Sequence, residues 1–187
     1  MKALLPKCRA TKSNRRNAVA FLVDDIVYSP NKYRETEGIK VNHANAILLL
    51  GIKDDDISIL SEIYVFEKDT AEIIQLAASI PRNKQMWCDS AEPDRIKMWQ
   101  KAGFRARGVD KGGSAGSVKA QIDWLKQRKI FVHPHCVNTI KELQQWKWKK
   151  DDKSGEYIDE PVPFQDDAMA ALRYGVEGWR KVKRWLT

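Results

Sequence analysis

Three aspartates occupy positions where carboxylates can do chemistry together. Asp89 closes the apolar stretch Met86-Trp87-Cys88 and stands just before a helix-start sequence, Ser90-Ala91-Glu92-Pro93. That places it at the carboxyl end of a strand, the edge where α/β sheets position ligands and reacting groups. Asp166 and Asp167 head the helical run Ala168 to Tyr174, far away in the chain. Carboxylates converging from distant segments suit Mg²⁺ or Mn²⁺, which take hard oxygen ligands, and two such ions can drive phosphodiester hydrolysis. Simpler roles also fit: Asp89 can support a helix N-terminus electrostatically, and the Asp166-Asp167 pair can be a helix cap with an acidic neighbour.

Other groups carry weaker signals. Lys111 opens the loop Gly112-Gly113-Ser114-Ala115-Gly116-Ser117, whose amides, hydroxyls and single cation suit a phosphate backbone, or which simply leads into a helix. His133 and His135 flank Pro134 beside Cys136, but no second ligand cluster accompanies them, so strand-end packing is expected rather than zinc. Trp146, Lys147, Trp148, Lys149 and Lys150 interleave aromatic and basic residues, as do Trp179 to Trp185. The safer reading for both is a core-facing indole with solvated lysines.

The elements that must position these residues follow from periodicity. Gly38 to Val41, Ala46 to Ile52 and Ile57 to Phe66 predict three strands of an antiparallel meander. Thr70 is expected to cap a helix running to Pro81, followed by a strand at Gln85 to Cys88. A helix ending at Gly103, a strand at Phe104 to Val109, a helix through Val118, Ile122 and Leu125, and a strand at Lys129 to His133 alternate next. Cys136 to Trp146 predicts a helix, Lys147 to Pro161 a hairpin with Ser154-Gly155 at its tip, and Asp166 to Trp185 the last helix. Hairpins first and helical crossovers later imply an α/β fold, a mixed sheet flanked by helices.

Composition narrows the partner. The 187 residues carry 33 Lys and Arg against 25 Asp and Glu, a net charge of +8 that favours a polyanion such as nucleic acid, although a basic surface can also be merely soluble. Cys8, Cys88 and Cys136 are odd in number and widely spaced, which points to free thiols in a reducing compartment. No apolar run approaches the roughly 20 residues a bilayer requires, and a cytoplasmic location is expected, without a membrane partner. Residues 1–34, with Lys7, Arg9, Lys12, Arg15 and Arg16, read as a basic arm and linker whose apolar stretch, Ala18 to Tyr28, suits one helix or strand. Residues 35–187 read as one domain.

Taken in order, Asp89-Ser90-Ala91-Glu92-Pro93, Lys111 with its loop to Ser117-Val118, Val132-His133-Pro134 with Cys136, Glu142-Leu143, and Asp166-Asp167-Ala168-Met169 with Ala171-Leu172-Arg173-Tyr174 resemble the nuclease domain of phage and prophage terminase large subunits. The resemblance runs from about Gly38 to Gly178. It implies an RNase H-like sheet, an antiparallel meander followed by parallel strands. It also implies cleavage of double-stranded DNA with Mg²⁺ or Mn²⁺ held by acids on the first strand, the fourth strand and the last helix. Asp89 matches the fourth-strand acid and Asp167 the helix position, with Asp166 beside it. Lys111, Ser114 and Ser117 become DNA-contacting residues in this light. A terminase ATPase domain, a small terminase subunit and a portal are the implied partners, and a bacterial host cell the implied setting.

Two departures accompany the resemblance. Gly38-Ile39-Lys40 stands where the family usually reads Gly-Ile-Asp, so an ammonium, which cannot ligate Mg²⁺, occupies the first metal-ligand position. In the last helix Asp167 stands where close relatives have His and Ala170 where they have a second Asp, while other terminases carry an Asp-Asp pair at this helix start. A domain that keeps the fold and basic surface but has lost cleavage, acting in DNA binding or assembly, is therefore the alternative. The Walker phosphate loop of an ATPase motor is absent from the chain.

Overall fold

The computed structural model describes residues 9–10, 25–29, 34–36, 39–41, 44–110, 117–162 and 166–186. Its centre is a seven-stranded sheet. β5 (Asn45–Lys53) and β6 (Asp56–Val65) form a long antiparallel hairpin. β2 (Asp25–Ser29) lies antiparallel to β5 and parallel to β7 (Gln85–Cys88), which is parallel to β8 (Arg105–Gly108). At the far side β6 pairs in parallel with β9 (Ile130–Val132), and β9 with the two-residue β1 (Arg9–Ala10). The spatial order is β1-β9-β6-β5-β2-β7-β8.

Mixed pairing and flanking helices match the expected fold class, but the meander's first strand does not come from Gly38 to Val41. β4 (Ile39–Val41) instead pairs antiparallel with β3 (Arg34–Thr36) in a separate two-stranded ribbon. The central slot is taken by β2, from the stretch expected to belong to the arm. Composition explains the exchange. A strand flanked on both sides inside a sheet covered on both faces must be apolar in both directions. Ile26-Val27-Tyr28 meets that demand, whereas Ile39-Lys40-Val41 would insert an ammonium.

β5 shows why both faces are covered. Ala46, Leu48 and Leu50 belong to one buried cluster, while Ile47 belongs to the other with Leu49 packed on it, the period-2 alternation of a strand. The first cluster lies beneath α3 (Val118–Lys126), α4 (Val137–Gln145) and α5 (Asp167–Leu186). The second lies beneath α1 (Thr70–Leu76) and α2 (Pro93–Lys101). The α1 cap is Asp69, not Thr70: its side chain accepts from the Glu72 amide while Glu72 accepts from the Asp69 amide. The helix also stops at Leu76, passing into a 3-10 turn at Ala77–Ser79 before Pro81.

A bulge in the β5–β6 hairpin sets which side chains of β6 reach each face. Leu49 pairs with Ser61 but Leu50 with Ile59, so Leu60 is an extra residue on β6. One added residue exchanges the two faces. Ile57 and Ile59 accordingly face α3–α5, but Ile63 and Val65 face α1 and α2, and Tyr64 is turned toward α4 and α5. Glu62 shares that side: it accepts the Asn138 and Thr139 amides at 2.9 and 2.8 Å, fixing the first turn of α4.

α5 crosses the sheet over β2, β5 and β7. It comes close at Gly178, where a Cβ would overlap the indole of Trp87 on β7. Helix propensity favours other residues over glycine by at most about 1 kcal/mol, whereas overpacking a core costs roughly 1–3 kcal/mol. Gly178→Val is therefore expected to lower the unfolding free energy by about 2 kcal/mol. Urea denaturation reads this as a lower midpoint, and an unchanged midpoint would refute the close approach.

Candidate active site at one sheet edge

Strand directions bring the three aspartates to a common edge. Asp89 directly follows β7, whose last paired residue, Cys88, stands opposite Tyr28 of β2. β5 runs the other way, so its first residues, beside Ser29, reach the same edge. Ala44, just ahead of β5, donates its amide to Asp167 Oδ2 at 3.0 Å. Tyr174, two turns along α5, donates its hydroxyl to Asp89 Oδ2 at 3.1 Å, while Asp89 Oδ1 accepts the Ala91 amide at 2.9 Å. α5 is thereby joined to the sheet edge through both candidate acids. Both are buried, at 2% exposure for Asp89 and 7% for Asp167, while Asp166 is partly exposed.

Two residues not singled out from sequence as site groups complete the surroundings. Glu142, on α4 and 4% exposed, accepts the Tyr64 hydroxyl at 2.8 Å and the Met169 amide at 3.0 Å. Burial pushes its carboxyl up to about 8, and the nearby negative charges of Asp167 and Asp166 add to that rise against the two hydrogen bonds. Arg173 lies buried on α5, its Nη1 donating to Gln121 Oε1 of α3 at 3.1 Å. Burial pulls this guanidinium below its ordinary range, and its surroundings, Tyr174 and the negative charges of Asp166 and Asp89, oppose the fall. A deep acid edge with a guanidinium set into its helix is the result. The signal for Glu142 is present in the Glu142-Leu143 motif, but its partner Tyr64 depends on the β6 bulge, which periodicity does not announce.

The remaining candidates are distributed differently. Ser117 is the N-cap of α3, its hydroxyl accepting the Ala120 amide at 3.2 Å. Lys111 and Ser114 lie outside the described residues. Lys40 sits in the backbone of β4, in the ribbon outside the seven-stranded sheet. His133 and His135 pack edge to face, with the His135 amide donating to His133 Nδ1. Cys88 and Cys136 are buried free thiols pushed up to about 12 and about 11 by burial, which rules against a thiolate role. Among the described residues no group of three or more His, Cys, Asp or Glu side chains is arranged to hold a metal ion. Nor is any described helix long and apolar enough to cross a membrane.

A sheet of this order, with acids from a strand end and a helix head on one edge, defines the RNase H-like class of α/β domains. The family model described as "Terminase RNAseH like domain" matches residues 40–178, and the chain belongs to that family. The PBSX phage terminase large subunit of Bacillus subtilis (strain 168) is 31% identical over 111 residues, which is 59% of this chain and 24% of that protein. The chain thus spans about a quarter of the length of this curated relative. Among solved structures, the g2p large terminase nuclease domain of bacteriophage SPP1, determined with bound Mn, superposes with a TM-score of 0.69 at 18% identity, over 83% of this chain and 87% of that one. The P22 large terminase nuclease domain gives 0.61 at 16% identity, over 92% and 87%. The fold is that of a large-terminase nuclease domain.

The Glu142 surroundings set a pH dependence. A carboxyl pushed up to about 8 holds its proton more tightly folded than unfolded, where it titrates near ~4.3. Below that lower value Glu142 costs nothing, and as pH climbs through the window up to about 8 it increasingly opposes folding. Glu142→Gln removes the titrating group. In the presence of a chelator, its unfolding free energy relative to the unmodified chain should rise by about 2–4 kcal/mol between mildly acidic and mildly alkaline pH. Parallel stability curves across that window would refute the assignment.

Proposed function

We infer that this domain is the nuclease module of a phage DNA-packaging terminase and acts on double-stranded DNA at the Asp89–Asp167 edge. The observation that carries the reading is the delivery of Asp89, Asp166 and Asp167 to one edge of an RNase H-like sheet in a chain of the terminase family. The net charge of +8 favours the phosphate backbone, and Lys111, Ser114 and Ser117 are the proposed backbone contacts.

Donor chemistry at this edge suits Mg²⁺ or Mn²⁺. Hard carboxylate oxygens are gathered at a buried edge, where burial chiefly, and the charge of Asp167 and Asp166 in addition, raises the neighbouring Glu142 carboxyl. Asp89 and Asp167 would hold the ion, with Asp166 adjoining; such an ion activates water and steadies the leaving oxygen of a phosphodiester. The protein's own part is orientation. Tyr174 and the Ala91 amide fix the Asp89 carboxylate, the Ala44 amide fixes that of Asp167, and Arg173 offsets the negative charge of Asp89 and Asp166. The large terminase of a thermophilic bacteriophage, solved in complex with ATP-gamma-S, suggests that the module works beside an ATPase domain. A small terminase subunit and a portal are the further proposed partners, in the cytoplasm of a bacterial host.

A second reading rests on a specific gap. The family position of the first-strand acid is Lys40, where the match begins, and the strand that fills the central slot reaches the acid edge with Ser29. The only carboxylate of β2, Asp25, opens the strand at the opposite end. On either correspondence the first-strand carboxylate is missing, which supports a domain that binds DNA or assists assembly without cutting.

Supercoiled plasmid incubated with Mn²⁺ separates the two. The nuclease reading expects relaxation by the unmodified chain and at least a hundredfold loss, on the order of removing one group that stabilises the transition state, in Asp89→Asn and Asp167→Asn. Cutting gained only by Lys40→Asp would establish the non-cutting reading and place Lys40 at the first-ligand position. Equal cutting by all variants would remove the acid edge from the chemistry.

A further inference from the structure

We propose that the groove beside the β10–β11 ribbon binds an unpaired segment of a DNA strand by stacking bases on Trp148 and Tyr157. β10 (Trp148–Lys150) and β11 (Tyr157–Pro161) form a two-stranded antiparallel ribbon in which Lys150 stands opposite Tyr157 and Trp148 opposite Pro161. The register shifts between Trp148 and Lys150, and the side chains of both line the same groove. Between this ribbon and the end of α4 lies a groove of about 500 Å³, lined by Trp146, Lys147, Trp148, Lys150, Tyr157 and Val162 among others. That volume is within the range of sites that take a ligand of a few rings.

Its lining has a consistent chemistry. Lys147 and Lys150 border it. Two ammonium groups already lie over its rings: Lys126 is 4.9 Å from the Trp148 centroid and Lys150 is 5.2 Å from that of Tyr157. Lys126 is also paired with Asp123 at 3.2 Å, and Trp148 packs partly on the first core cluster. Tyr157 with Lys150 is therefore the more open ring and cation, a pair that suits the planar base and anionic phosphate of a nucleotide. Tyr157 is 41% and Val162 38% exposed, large side chains left open to a partner. An intact duplex keeps its bases inside its own stack, so a recessed aromatic groove selects an unpaired stretch.

The position is suited to the same substrate. Trp146 donates its amide to the Glu142 carbonyl at 2.8 Å, and Glu142 in turn accepts the Met169 amide in the first turn of α5. The groove therefore begins one helical turn from the residue that touches the head of the Asp167 helix. A strand leaving the acid edge in that direction, frayed or already cut, passes over the ribbon. The inference rests on the reading of the chain as a DNA-handling domain, but not on its being able to cut.

The test is fluorescence anisotropy of a labelled oligothymidylate of about 12 nucleotides, titrated with the full chain in a chelator so that metal at the acid edge plays no part. Tyr157→Ala and Trp148→Ala should each weaken binding about tenfold, Tyr157→Phe should retain it, and Lys97→Ala, exposed on the opposite face of the sheet, should match the unmodified chain. A duplex of equal length should displace the oligothymidylate poorly. Absence of binding, equal affinity of Tyr157→Ala and the unmodified chain, a loss in Tyr157→Phe as large as that in Tyr157→Ala, or full displacement by duplex would each overturn the proposal. Because Tyr157 is exposed, its variants keep the test decisive if Trp148→Ala unfolds. Plasmid cutting reports on the acid edge and oligonucleotide binding on the groove, so each reading can fail alone.

Discussion

The anchoring of the last helix to the sheet edge through carboxylates is the constraint on which the rest of this domain depends. Asp167 holds the amide that precedes β5, and Asp89 holds the hydroxyl of Tyr174. Between them Glu142 ties α4 to the first turn of α5. Hydrogen bonds to charged groups contribute about 1.5–3 kcal/mol each, more than neutral pairs, because the acceptor keeps its charge stabilised while buried. The acids that suit a cation are therefore also what closes the helix onto the sheet. Changes at Asp89 or Asp167 must be judged by stability as well as by chemistry.

Negative charge is concentrated here at a cost. Asp89 and Asp167 are buried, Asp166 adjoins them, and Glu142 sits close enough that the charge of Asp166 and Asp167 helps drive its carboxyl toward the neutral form. Arg173 works in the opposite sense from within α5, restrained by Gln121. A core of this kind is not built for stability alone, since apolar replacements of similar volume often serve better in buried ionic clusters. Under the proposed function, a cation or a phosphate received at this edge would offset that cost.

Much of this is legible in the sequence, for identifiable reasons. The strand Gln85–Cys88 and the helices that start at Val118 and in the Asp166-Asp167 pair are marked by strong periodicity and by punctuating Gly, Pro and Asp residues, and the placement of Asp89 follows from them. The first strand is not legible, because two short apolar segments upstream compete for the central slot and local pattern cannot say which one the sheet selects. The Tyr64–Glu142 contact is hidden for another reason. Ile57, Ile59, Ile63 and Val65 share one parity and read as a single face, and only the extra Leu60 divides them between two cores. Thr70 is a plausible cap by residue type, but Asp69 and Glu72 have the spacing of a capping box, and that spacing decides the helix start.

The two competing strands also bear on activity. If residues 39–41 occupied the central slot, Lys40 would introduce a cation among the carboxylates; with β2 there, the strand reaches the acid edge at Ser29 and brings no charge. The electrostatic outcomes differ sharply. An ammonium beside Asp89 would compensate the acids internally and compete with Mg²⁺, whereas an uncharged strand end leaves the negative charge for an external cation. The Glu142 carboxyl is raised chiefly by its burial, and the charge of Asp167 and Asp166 adds to that rise. The arrangement seen here gathers Asp89, Asp166 and Asp167 at the edge, while β2 reaches that edge without a carboxylate. Under the proposed function, ion affinity and cutting would be separable at this edge, the first set by the net charge of the acids and the second by how completely they enclose the ion.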